Sequence, residues 1–185
     1  VNFCLRKKIL FFRGKEKDVM DRYYKCSLYY NCKNIVRITA DCPLVDPRII
    51  DQVVKKYLSE KVEYCSNRTP LKYSKYPDGT DVEIFSFKAL EKAHKKEKKL
   101  HFREHVTFQF YEKNKYKHST LIGNNDFGKY RFTLDYNEDF LVVKEIIKEL
   151  NKLKKFGYVK EIVKNLKENK SLYRLNKKYN LFFKE

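Results

Sequence analysis

At 185 residues, 42% of them hydrophobic and many of those Tyr or Phe, the chain is long enough for one domain with a sizeable core and too apolar for intrinsic disorder. No apolar run nears the ~20 residues of a membrane span and no signal peptide is visible, so a cytoplasmic protein away from the membrane is expected. The net charge of +18 invites a nucleic-acid reading, yet only nine of the 42 basic residues are Arg and 33 are Lys. Arginine supplies the bidentate fork that base and phosphate readers favour. The lysines fall in runs such as Lys95-Lys96-Glu97-Lys98-Lys99, which read as solvated helix faces. A basic nucleic-acid-binding protein is therefore the weaker reading, and a positive surface would equally suit a small anionic substrate.

In chain order, Lys8 to Phe12 reads as a short strand closed by Arg13-Gly14. Asp18 to Tyr30 has helical spacing, with Val19, Tyr23 and Ser27 on one side and Met20, Tyr24 and Leu28 beside them. Ile35 to Ala40 is a strand. Asp46 is a good N-cap with Pro47 at the first helical position, and Ile49, Ile50, Val53, Val54, Tyr57 and Leu58 form the stripe of the helix that follows. Val62 to Ser66 is a strand, and Asn67 to Lys75 a loop. Tyr76-Pro77-Asp78-Gly79 is a turn leading into a strand from Asp81 to Phe87, with Asp81 and Glu83 on one face and Val82 and Ile84 on the other.

Helices are expected over Lys88 to Lys98 and Phe102 to Glu112. Arg131 to Leu134 reads as a strand stopping at Asp135. Asn137 would cap a helix with Phe140, Val143, Ile147 and Leu150 inward and Gly157 as its stop, and a last helix spans Val159 to Asn169. Alternating strands and helices indicate an α/β fold with a largely parallel sheet. One domain is expected over residues 1–170, with 171–185 as a C-terminal tail.

Five cysteines without a C-x-x-C pair argue against a zinc cluster or a disulfide framework and for ordinary buried or half-buried thiols. Two predicted strands end on carboxylates, Asp41 and Asp135. As neighbours they could hold one divalent cation of the Mg²⁺ type, which takes oxygen ligands and keeps positions for substrate phosphates. His101-Phe-Arg-Glu104-His105 matches the zinc-peptidase pattern H-x-x-E-H, but no third ligand is evident and we read the match as chance.

The segments RGKEKDVMDRYY, IVRITADCPLVDP, YPDGTDVEIFSF, FREHVT and RFTLDYNEDF occur in that order. Together they resemble the spore-coat polysaccharide biosynthesis protein F family, cytidylyltransferase-like proteins related to the acylneuraminate and 3-deoxy-manno-octulosonate cytidylyltransferases. The resemblance covers Arg13 to Asn176. It implies a three-layer, Rossmann-like nucleotide-diphospho-sugar transferase fold with a mixed, mostly parallel sheet, here N-terminally truncated.

The activity it implies is transfer of CMP from CTP to an acidic sugar for a cell-surface polysaccharide or glycan, with release of pyrophosphate. Residue by residue, Asp41 and Asp135 would be the catalytic, Mg²⁺-binding carboxylates. Arg13, Gly14, Asp18 and Arg22 would bind the nucleotide. Asp78, Gly79, Asp81, Glu83, Arg103, Glu104 and His105 would line the sugar pocket, with His105 a candidate base. CTP and an acidic sugar are the expected partners, with a second copy of the chain a further candidate. Relatives also carry an earlier strand and a loop resembling L-A-R-x-x-S-x-R-x-x-x-K, whose amides and basic side chains cradle the triphosphate. Nothing before Arg13 matches it, so the expectation is either a fragment or a chain that has lost triphosphate binding. In the latter case it would be an inactive remnant or a sugar-binding module of the same fold.

Overall fold

The structure, a computed structural model, describes residues 1–71, 74–112 and 115–180. It is an α/β fold whose four-stranded open sheet has the order β1-β3-β2-β4. In chain order the elements are α1 (Asn2–Arg6), α2 (Val19–Tyr29), β1 (Asn34–Arg37), α3 (Pro47–Glu60), β2 (Tyr64–Ser66), β3 (Glu83–Ser86) and α4 (Phe87–Lys96). Then follow α5 (Leu100–His105), α6 (Phe108–Glu112), β4 (His118–Thr120), α7 (Asn137–Lys152), α8 (Val159–Glu168) and α9 (Lys170–Asn176). The chain divides into two compact units, Val1–Ile35 with Phe85–His118, and Val36–Ile84 with Ser119–Glu185.

In the first unit α2 is capped by Asp18, whose carboxylate accepts the Asp21 N–H at 3.0 Å. Its buried Met20 joins Leu90, Ala93, Phe102 and Val106, and the Phe85 ring lies 5.3 Å from that of Phe110. The single helix expected over Phe102 to Glu112 is instead two, because Val106 adopts φ +52° and breaks the hydrogen-bond ladder. Lys8 to Phe12 forms no strand: α1 folds back through an Ile9 N–H to Cys4 carbonyl bond, and Ile9 and Leu10 stay exposed. A strand needs a neighbouring ladder, and none pairs with this segment among the described residues.

The second unit holds the larger core. Ile49, Val53 and Tyr57 of α3 pack with Cys65, Val82, Ile84 and Phe132 and with the apolar faces of α7 and α8. The Asp46–Pro47 start of α3 is as expected, and the Asp46 carboxylate accepts the Arg48 N–H at 2.9 Å. Val82 to Phe85 are buried at every position, because β3 lies inside the sheet; the alternation expected for a one-sided strand is absent. Arg131 to Leu134 is no sheet strand but a single parallel bridge, Asp78 with Arg131, since the chain turns at Gly79 straight after it.

Tyr136, not Asn137, caps α7, and its buried face is Asp139, Val142, Val143 and Ile146. Phe140 and Ile147, expected inward, are exposed, because Asp139 is drawn to Arg131 and sets the rotation of the helix. The helix ends at Lys152, before Gly157. The segment read as a tail carries α9, with Leu172, Asn176 and Asn180 buried; residues 181–185 of it lie outside the described residues, as do Lys72 and Tyr73 of the predicted loop. All five cysteines are free, two buried and three half-buried.

Candidate active site

Beyond β1 the chain turns through Thr39-Ala-Asp41-Cys42, closed by the Cys42 N–H on the Thr39 carbonyl. The Leu134 N–H then donates to the Asp41 carbonyl at 3.0 Å, so the Asp41 loop is fastened to the residue immediately before Asp135. The Cys42 thiol sits at 3.2 Å from the Thr39 hydroxyl and 3.6 Å from Asp41 Oδ1. Burial, together with the Asp81 and Asp41 carboxylates, pushes this thiol up to about 12, so it stays protonated and serves packing rather than nucleophilic chemistry.

Two buried arginines organise the surrounding acids. Arg68, 2% exposed and just past β2, reaches Asp81 at 2.9 Å, Asp78 at 3.0 Å and the Tyr76 carbonyl at 3.1 Å. Arg131 binds the second oxygen of Asp78 at 2.7 Å, both oxygens of Asp139 at 2.9 and 3.0 Å, and Asp135 at 2.5 Å. Asp139, fully buried, also accepts the Asp135 and Tyr136 N–H groups and the Asn176 amide. Burial works against its charge, but the bonds from Arg131 and Asn176 outweigh that and hold its carboxyl below the usual range. For Arg131 burial likewise opposes the charge, and the Asp139 and Asp135 carboxylates more than offset it. Asp81 goes the other way: burial and the nearby Asp78 raise it to about 6 in spite of Arg68.

Gly79 has φ +86°, and a Cβ there would lie 2.2 Å from the Thr133 nitrogen. That contact is what lets Asp78 lie against Arg131, with backbone bonds from Asp78 to the Tyr130 carbonyl and from Phe132 to the Asp78 carbonyl. Glu83 is buried, ion-paired to Arg37 and accepting the Tyr64 hydroxyl at 2.7 Å. Of the expected sugar-pocket residues in this unit, Asp78, Asp81 and Glu83 thus spend their carboxylates on internal partners, while Gly79 shapes the turn.

The remaining expected residues belong to the first unit. Arg103 pairs with Asp18 at 2.8 Å and donates to the carbonyls of His94 and Glu97, joining one expected sugar residue to one expected nucleotide residue. The bonds from Arg103 and from the Asp21 N–H overcome burial and keep Asp18 low. Gly14 lies against Arg22, where a Cβ would come 3.0 Å from the Arg22 Cγ, and Arg13 is exposed. Glu104 is exposed on α5. The His105 ring stacks on Phe108 at 4.5 Å, with His101 4.8 Å away.

In the second unit, then, four carboxylates (Asp78, Asp81, Asp135, Asp139) gather around two arginines, and a fifth, Asp41, is tied in through its backbone carbonyl. This is a locally acidic site in a protein of net charge +18. Arg68 and Arg131 escaped the sequence reading. The trace of Arg131 was its spacing to Asp135 and Asp139, four and eight residues on; Arg68 left no such trace, because its partners are 10 and 13 residues away across a loop.

The residues present fit a hard divalent cation. Among the described residues Asp41 has the Cys42 thiol as its side-chain donor and no basic partner, and Asp135 is 48% exposed with one oxygen on Arg131. No group of three or more potential ligands forms among the described residues, so any such ion would complete its shell with phosphate and water oxygens.

The open sheet with its helices is a nucleotidyltransferase-like α/β fold. The cytidylyltransferase family model matches residues 1–179, and the chain belongs to that family of nucleotidyltransferases. It is 32% identical over 179 residues to the uncharacterized protein MJ1063 of Methanocaldococcus jannaschii, covering 95% of this chain and 70% of that protein. To the spore coat polysaccharide biosynthesis protein SpsF of Bacillus subtilis it is 26% identical over 148 residues, covering 77% of this chain and 59% of SpsF. A solved cytidylyltransferase from Leptospira borgpetersenii serovar Hardjo-bovis superposes with a TM-score of 0.84 at 27% identity, covering 94% of this chain and 72% of that one. Among the described residues no helix is long and apolar enough to cross a membrane.

Proposed function

We propose that the chain takes part in transferring CMP from CTP to an acidic sugar, with Asp41 and Asp135 holding Mg²⁺ against the nucleotide phosphates. The single observation that supports this most is the Leu134 to Asp41 backbone bond. It ties together the two loops that carry carboxylates with oxygen capacity left over, in a family of cytidylyltransferases. A bound Mg²⁺ would supply charge neutralisation at the reacting phosphate and the departing pyrophosphate.

The chain's own residues set the stage. Asp41 offers its carboxylate from a turn pinned at both ends. Arg131 is a positioning residue: it holds one oxygen of Asp135 and fixes the direction of the other. Asp139 in turn fixes Arg131 and the backbone at Asp135 and Tyr136, so the second carboxylate arrives pre-aligned, with little to reorganise during the reaction. The likeness to SpsF points to polysaccharide assembly as the product's destination.

The test is pyrophosphate release from CTP with a panel of nonulosonic and octulosonic acids, with and without Mg²⁺. Release that needs Mg²⁺ and is abolished by Asp41→Asn or Asp135→Asn is the expected result. Equal release from ATP, GTP and CTP would overturn the nucleotide assignment, and turnover indifferent to both substitutions would overturn the metal site.

A further inference from the structure

Five of the nine arginines (Arg37, Arg48, Arg68, Arg103 and Arg131) are spent on carboxylates that the fold itself supplies. Arg174 is not. It lines a cavity of about 360 Å³ in the second unit together with Lys167, Lys170, Lys177, Tyr130 and Tyr173. Among the described residues no Asp or Glu lines this cavity, and none of the active-site carboxylates borders it.

Lys170, Tyr173, Arg174 and Lys177 recur at positions i, i+3, i+4 and i+7, so α9 and the turn after it present them on one face. From Lys170 to Lys178 the sequence has four cations and no acid, and of these Lys178 turns away to pair with Glu138 at 3.0 Å. Like charges one helical turn apart disfavour a helix, and the chain keeps Lys170 and Arg174 in that relation over a concave surface. Tyr130 and Tyr173, rings 5.2 Å apart, complete the polar lining. Burial raises both phenols, so they remain O–H donors at neutral pH.

We propose that this cavity between α8, α9 and Tyr130 is a binding site for a compact phosphate anion carrying several charges, a pyrophosphate group either free or at the end of a nucleotide. Several cations lining one concavity, with two tyrosines among them, match such a group in size and charge. A long polyanion would instead need a basic track extending beyond the cavity, with bases stacked on exposed rings. Here Tyr130 is buried and Tyr173 half-buried. The site does not depend on the function proposed above.

The experiment is a titration of the ¹⁵N-labelled chain with inorganic pyrophosphate in EDTA at about 150 mM salt, where the Debye length is ~8 Å and diffuse attraction is damped. Chelation keeps cation-mediated binding at Asp41 and Asp135 out of the measurement. Saturable shifts centred on residues 166–177 are expected. The exposed double variant Lys170→Ala/Arg174→Ala should lose about tenfold or more in affinity, the scale for removing charge-assisted bonds, while Asp135→Asn changes nothing. Parallel titrations with CDP and with pyrophosphate alone decide whether the free or the nucleotide-borne group is preferred. Shifts confined to the Asp41 and Asp135 loops, affinity unchanged in the double variant, equal binding of citrate, or displacement by a single-stranded RNA at far lower concentration would each overturn the proposal.

Discussion

Asp139 and Asp135 lie four residues apart in the chain, yet their carboxylates are used in opposite ways. Asp139 has no solvent exposure and accepts bonds from Arg131, Asn176 and two backbone amides; Asp135 is half exposed, with Arg131 on one oxygen. The same contrast separates Asp78, held by two arginines, from Asp41, which among the described residues has only a thiol donor. The inner set is structural and the outer set is available for chemistry. Paired carboxylates in a motif therefore cannot be assigned by residue type alone; what each one faces decides.

The widest separation between the two sets should come from breaking the inner one. Asp139→Ala strands Arg131 beside fewer partners and leaves two amides and Asn176 unmatched. A loss of about 3–5 kcal/mol in unfolding free energy is expected, read by denaturant titration. Asp41→Asn should do the reverse. Loss of one aligned electrostatic group lowers rate by about 10²–10³, measured as pyrophosphate release, while the denaturation midpoint barely moves. If Asp41→Asn destabilised the fold as much as Asp139→Ala, the division into inner and outer sets would collapse.

Gly79→Ala probes the turn that joins the two sets. A positive φ costs a residue with Cβ roughly 1–2 kcal/mol, and the contact 2.2 Å from the Thr133 nitrogen adds to it, so about 2 kcal/mol or more is expected.

The pH dependence sharpens the comparison inside the inner set. Asp81 titrates at about 6 in the fold against a reference value of 3.8, so the folded state holds this proton more tightly. Its stabilising contribution is complete below about 3.8 and is lost as pH rises through about 6. Asp139 and Asp18, both lowered, contribute above 3.8 and lose that contribution as pH falls through their folded values. Thermal midpoints across this window should therefore fall with rising pH in the native chain and flatten in Asp81→Asn.

The smallest effect lies far from both sets. Lys61 ends α3 at φ +49°, and Lys61→Gly should add about 0.5–1 kcal/mol of stability with no change in rate, which gives the baseline for the other variants.

Local rules read the helices well where a cap announced them. Asp46-Pro47 and Asp18 stand at the starts of α3 and α2 because a carboxylate satisfying free N–H groups is a property of neighbours in sequence. What failed were elements decided at long range. Lys8 to Phe12 has strand composition and no partner strand among the described residues. The rotation of α7 follows from Asp139 meeting Arg131, so its apolar stripe alone pointed to Phe140 and Ile147. The Asp41 and Asp135 loops were legible as motif ends, whereas the arginines that engage the inner acids were hidden in contacts across loops.

Asp46 carries a consequence for how the chain is made. Its buried carboxylate accepts the Arg48 N–H at the start of α3 and also the Val159 N–H at the start of α8, 113 residues later, while the Arg48 guanidinium lies 3.4 Å from the centre of the Tyr158 ring. During synthesis α3 leaves the ribosome long before α8 exists. For that interval the acid that will join them has only the nearer helix to serve, and the apolar face of α3 waits for its cover. At 5–20 residues per second the wait is on the order of ten seconds. Closure of the larger core is thus tied to the arrival of the last two helices, and a ribosome stalled before residue 159 would hold a chain with its central acid half employed and its core open to other chains.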